Sequence, residues 1–186
     1  DPSKVAARPL QYLRQAGYAG TIYPINARRD EVLGERAWPS LEALPEAPDH
    51  AFILAGADGV VEAVQECAAR GVKVATILAT GFAEAGHEGL QRVDALKKIV
   101  AETGIRILGP SSIGVVNFHA KALLTANAAF AEPNLPSGGV FVASHSGSML
   151  GALVSRGKAR SVGFAGLVSV GNEIDLTLGE ICAMTL

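Results

Sequence analysis

Five short stretches of this 186-residue chain carry residue types that could do chemistry. Four of them follow apolar runs: Pro24-Ile25-Asn26 with Arg28 and Arg29; Ala55-Gly56-Ala57; Thr80-Gly81-Phe82; and Gly109-Pro110-Ser111-Ser112-Ile113-Gly114. Each is small, polar or glycine-bearing, which lets backbone approach a ligand closely. If the runs are parallel strands, these stretches share the edge where open α/β sheets bind ligands. Turn geometry alone selects similar residues in any single loop, so the weight lies in four occurring in register.

The first stretch discriminates between cofactors. An NAD site places Asp or Glu after its second strand to bind ribose hydroxyls, whereas this chain has Asn26 followed by Arg28 and Arg29. Guanidinium groups suit a ribose-attached phosphate, either the 2′-phosphate of NADP or the 3′-phosphate of coenzyme A (CoA). A solvated turn is the alternative for this pair of arginines. The fifth stretch, Ser144-His145-Ser146-Gly147-Ser148, lies between an apolar run and a helical one. It reads as an anion site at a positive helix end, or as simple capping by Ser146. A serine nucleophile is not supported, because no GxSxG pattern is present. Of the four histidines only His145 falls in a candidate site; His50, His87 and His119 read as structural or surface residues.

The elements that would position these residues alternate between strand and helix. Helical spacing covers 5–16, 60–69, 88–103 and 147–157, with Gly17, Gly71 and Gly104 as stops. Strand-like runs cover 21–25, 50–55, 72–79, 105–108, 140–143 and 164–170, with short edge strands expected at 115–117 and 123–126. Pro39 and Ser40 suggest a turn into a short helix, and another helix begins near Thr177. This alternation predicts an α/β fold: a Rossmann-like parallel sheet, then the first part of a flavodoxin-like α/β domain. The Pro- and Gly-bearing stretch 131–139 separates the two, giving expected units of 1–135 and 136–186.

The chain opens directly into a helix, so the central first strand of the Rossmann unit, with its glycine-rich phosphate grip, is expected upstream. Such a strand would contribute roughly 5–10 kcal/mol, against about 5–15 kcal/mol for a whole domain. Both ends therefore read as cuts in a longer chain.

Composition narrows the partners. Apolar residues form 49% and charged residues 18%, so a core can be built and disorder is excluded. The net charge of −2 offers no field for nucleic acid or an anionic membrane. No apolar run is long enough to span a bilayer. Cys67 and Cys182 form neither a zinc motif nor a disulfide framework, so no metal is expected and a cytoplasmic setting fits.

Taken in order, Ile22-Tyr23-Pro24-Ile25-Asn26, Ala79-Thr80-Gly81-Phe82, Gly109-Pro110-Ser111-Ser112-Ile113-Gly114-Val115-Val116-Asn117, Ser144-His145-Ser146-Gly147 and Val168-Ser169-Val170-Gly171-Asn172-Glu173 resemble the NDP-forming acyl-CoA synthetases, a family similar to the α subunit of succinyl-CoA synthetase. The resemblance implies a CoA-binding domain followed by a ligase domain. It implies formation of acyl-CoA from a carboxylic acid, CoA and ATP or GTP with Mg2+, through a phosphohistidine and a nucleotide-grasp domain or subunit, in an oligomer. By position it places Ser3 and Lys4 at the edge of the CoA phosphate loop, Pro24 and Asn26 near ribose and adenine, and Thr80, Gly81 and Phe82 along the pantetheine. Gly109, Pro110, Ser111 and Ser112 fall close to the thioester. Ser144, His145, Ser146 and Gly147 fall at the phosphate-receiving helix.

Ser111-Ser112 stands where the family usually has Asn-Cys, and His145 where Arg or Gln is usual. The backbone amides of that serine pair could still bind, although the Asn side chain is lost. No residue matches the phosphohistidine, and Glu180 is out of register with the family's assisting glutamate. Two other readings remain: a non-ligase CoA-binding or regulatory module, such as part of a protein acyltransferase, and an NADP-dependent oxidoreductase.

Overall fold

The computed structural model describes residues 3–185; Asp1, Pro2 and Leu186 lie outside the described residues. A 3-10 turn at Val5–Ala7 leads into helix α1, Arg8–Ala16, which Gly17 ends in the left-handed region. A two-stranded hairpin, β1 (Glu31–Val32) and β2 (Glu35–Arg36), follows. Neither that hairpin nor the absence of a helix after Pro39 follows from the sequence pattern. The expected strand at 21–25 is also not formed as such. Its end makes a single parallel bridge, Ile25 to Trp38, with Asn26 N donating to Trp38 O at 2.8 Å. Among the described residues Trp38 is its one bridge partner, so no longer ladder forms.

The first sheet is parallel, with β3 (His50–Ile53), β4 (Val74–Ile77) and β5 (Arg106–Leu108) in that order. Helices α2 (Ala57–Arg70) and α3 (Gly86–Thr103) connect the strands, as parallel pairing requires. Helix α2 buries Val60, Val64 and Cys67, one residue per turn on a single face. Each large apolar side chain so buried contributes ~1.5–3 kcal/mol. Gly71 and Gly104 close these helices with positive φ, as their spacing predicts.

The second sheet has four strands, in the order β7-β6-β9-β8: β6 (Gly114–Asn117), β7 (Ala122–Thr125), β8 (Ser137–Ser144) and β9 (Phe164–Ser169). Strands β8 and β9 are parallel, while β6 pairs antiparallel with both β7 and β9. The β6 strand is thus interior, not an edge strand as its short length suggests. The sheet draws two strands from before residue 135 and two from after it. Helix α1 packs on β7 and buries Tyr12 in the second core with Val116, Phe130, Val154 and Leu167. Helices α4 (Gly147–Lys158) and α5 (Leu178–Ala183) complete the fold.

Among the described residues, no helix is long and apolar enough to cross a membrane, and no cluster of His, Cys, Asp and Glu could hold a metal. His50 is half-buried on β3, 2.7 Å from Thr76 Oγ1. Desolvation lowers its pKa to about 4, so it is neutral at ordinary pH and acts as part of the strand packing.

Candidate functional site

Parallel pairing puts the carboxyl ends of β3, β4 and β5 on one edge, so the loops beginning at Leu54, Leu78 and Gly109 lie side by side. A Cβ on Gly81 would sit 3.1 Å from Ala57 Cβ, so the first two of these loops touch. The turn after β9 then folds over the third. Asn172 N donates to Pro110 O at 2.9 Å, Ile174 N to Gly109 O at 3.3 Å and Leu176 N to Ile107 O at 3.1 Å. A charge cluster locks this segment down. Asp175 receives Arg106 Nε at 3.0 and 3.2 Å and Ile107 N at 2.7 Å, and Arg106 Nη2 reaches Glu180 at 3.0 Å. Glu180 closes a capping box with Thr177, so its carboxylate serves the start of α5 and this clamp.

Between the two halves lies a cleft of about 560 Å³ lined by Ala83, Glu84, Ser111 and Asn172. Gly81 N donates to Glu84 Oε1 at 2.7 Å, which holds that carboxyl below its usual range. Asn172 Nδ2 lies 3.5 Å from Glu84 Oε2, so the carboxylate bridges the two halves. On the second sheet, His145 Nε2 meets Glu173 Oε2 at 3.1 Å, and Leu178 N donates to the other oxygen of Glu173. The Leu178 amide first, and His145 second, keep the Glu173 carboxyl low. Ser111 and Glu173 both adopt positive φ, at 59° and 51°. Non-glycine residues held there cluster at functional sites.

The expected site residues divide into groups. Thr80, Gly81 and Ser111 are exposed or half-exposed at the shared edge. Phe82 is fully buried, so its side chain belongs to the first core and only its backbone can meet a ligand. Ser112 is also fully buried: its hydroxyl donates to Ser169 O at 2.6 Å and accepts from Gly114 N at 3.2 Å. Ser112 is therefore a structural bolt between β9 and the Gly109–Gly114 stretch. The backbone amides of Ser111 and Ser112 are committed as well, to Ala79 O and Ile77 O at 3.0 and 3.1 Å. The expectation that these two amides could receive a ligand is corrected on that ground. Gly109 and Pro110 are buried and serve the close packing of the two turns.

Ser146 caps α4 by accepting from Met149 N at 3.3 Å, and Ser144 Oγ bonds the backbone of Ser146. Asn127 Nδ2 donates to Gly147 O at 2.9 Å and ties that helix start to the strand β7 end. His145 stays exposed. Ser3 and Lys4 are exposed ahead of the 3-10 turn. Pro24 is half-buried, and the Asn26 side chain accepts from Arg28 N at 3.0 Å to shape its own turn. No ion pair among the described residues engages Arg28 or Arg29, so both guanidinium groups are free for an anionic ligand. Sequence reasoning gave no role to Glu84, Arg92 or Asn172. The one available signal was an acid three residues after a strand-end glycine.

A parallel sheet with small-residue loops along one edge is the arrangement at which open α/β sheets bind ligands. The particular family is then given by comparison. Residues 1–117 match the CoA binding domain and residues 137–185 match the succinyl-CoA ligase like flavodoxin domain. The chain belongs to the CoA-binding domain family, followed by a succinyl-CoA ligase-like flavodoxin segment.

It is 35% identical over 164 residues to an ADP-forming acetate–CoA ligase of Methanocaldococcus jannaschii, covering 88% of this chain and 22% of that protein. It is 33% identical over 181 residues to the alpha subunit of ADP-forming acetate–CoA ligase II of Pyrococcus furiosus, covering 97% and 38%. Among solved structures, a dinucleotide forming acetyl-coenzyme A synthetase 1 of Ca. Korarchaeum cryptofilum, in complex with phosphate and ADP, superposes with a TM-score of 0.91 at 30% identity. That superposition covers all of this chain and 39% of the other. The chain thus spans well under half the length of these relatives.

Proposed function

We propose that these residues are the CoA-binding and phosphate-facing part of an NDP-forming acyl-CoA synthetase, which joins a carboxylic acid to CoA. The observation that carries this reading is the order of the two matched domains over nearly the whole chain, in relatives named as ADP-forming ligases. The gap between those matches, 117 to 137, supports a division of the sequence into 1–135 and 136–186, with strands from both stretches sharing the second sheet.

In this reading Arg28 and Arg29 meet the CoA 3′-phosphate, with Ser3, Lys4, Pro24 and Asn26 on the same nucleotide end. The Thr80–Gly81 stretch flanks the pantetheine arm, and Ser111 faces the thiol end. Ser144, His145, Ser146 and Gly147 receive a phosphate at the start of α4. ATP or GTP with Mg2+, bound by a nucleotide-grasp partner in the oligomeric cytoplasmic enzyme, would supply the phosphate by way of a phosphohistidine outside these residues.

Incubating the complete protein with γ-labelled ATP and Mg2+ tests the ligase reading. An acid-labile phosphoenzyme, discharged by a carboxylic acid plus CoA, is the expected result. CoA binding without any phosphoenzyme would instead favour a non-ligase CoA-binding module.

A further inference from the structure

The loop after β4 is held from both sides by two side chains, Glu84 and Arg92. Gly81 N is bonded by Glu84 at 2.7 Å, while Gly81 O accepts from Arg92 Nη1 at 2.9 Å. The other Arg92 nitrogen, Nη2, meets Asp58 Oδ1 at 2.6 Å in the first turn of α2, with Glu88 at 3.8 Å. Only 22% of the Arg92 side chain is exposed and its bond to Gly81 O is partly buried, whereas the Asp58 carboxylate is 93% exposed, so the carbonyl bond carries more weight than the ion pair. Gly89 sits three residues before Arg92, on the same face of α3. A Cβ there would come within 1.7 Å of Phe82 O, so helix and loop backbone are in direct contact.

Arg92 thereby joins three elements: the α2 start behind Gly56, the Thr80–Phe82 backbone, and α3. A planar guanidinium can bond a carbonyl and a carboxylate at once in fixed directions, which a lysine ammonium on a flexible stem does less rigidly.

We propose that Arg92 is the positioning residue that fixes the spacing of the Gly56 and Gly81 loops, and so the channel taken by the pantetheine arm of CoA. This rests on the CoA reading above. Arg92 does not touch the ligand; it sets the wall that does.

The full chain carrying Arg92→Gln, with Arg92→Lys and Asp58→Asn as companions, is titrated with CoA and with adenosine 3′,5′-bisphosphate, which lacks the arm. The bisphosphate is followed by competition against a fluorescent CoA derivative, so weak binding is still measured. Arg92→Gln is expected to weaken CoA about tenfold or more, as loss of a charge-assisted bond does, with bisphosphate affinity unchanged. Arg92→Lys and Asp58→Asn should fall between, which keeps the test decisive if the glutamine variant does not fold. Equal losses for both ligands, or unchanged CoA affinity, would overturn the role of Arg92. A wild-type chain that binds neither ligand would overturn the CoA reading itself, so the two failures are distinguishable.

Discussion

Gly171→Ala is expected to lower stability by roughly 3 kcal/mol, because overpacking a tight contact costs about 1–3 kcal/mol and a left-handed alanine adds roughly 1–2 more. Gly171 is buried with φ of 66°, and a Cβ there would stand 2.1 Å from Pro110 O. The obstruction is backbone, so no side chain can swing aside. Relief requires the turn to lift, which breaks the bonds from Asn172 N to Pro110 O and from Ile174 N to Gly109 O. The cleft between Ser111, Glu84 and Asn172 would open with it. A thermal melt should show a midpoint lower by about 6–12 °C. Gly139→Ala, where nothing lies within 4 Å, is the control and should change little. A Gly171→Ala midpoint matching that control would mean the two turns do not pack as described.

The second large effect concerns the nucleotide end. Arg28→Ala with Arg29→Ala should weaken CoA by about tenfold or more while leaving dephospho-CoA nearly unchanged, since the lost groups make charge-assisted bonds to one phosphate. The loss should shrink as salt is raised, because both side chains lie in solvent. Isothermal titration of the double variant with the two ligands gives the answer. Equal losses would place the 3′-phosphate elsewhere.

Much of the first sheet was legible because its signals are local. Helices α2 and α3 show apolar residues at helical spacing, and Gly71 and Gly104 stop them where a left-handed residue is required. The strand-end loops were legible as small, polar stretches, and their alignment follows once the strands are parallel. What was not legible depends on contacts distant in sequence. Nothing in 114–117 announces that Val115 will pair with Val168 and leave the first sheet for the second. The stretch 21–25 has the composition of a strand, yet a strand exists only where a neighbour pairs with it, and here a single bridge forms.

The same limit applies to side chains. Ser111 and Ser112 are alike in sequence, but one sits half-exposed at the cleft and the other is buried as a bolt to Ser169. Phe82 reads as part of a binding loop, and its ring is core. Arg92 looks like an ordinary charged position on a surface helix until α3 is laid against the Gly81 loop. The resemblance to acyl-CoA synthetases, carried by short motifs in order, survived because motif order is itself a long-range property.

The central claim is that the strand-end loops form a CoA site, and calorimetric titration of the full chain with CoA and, separately, with NADPH tests it most directly. Saturable binding of CoA at one site, with no heat from NADPH, is the expected result. Binding of NADPH without binding of CoA would contradict it.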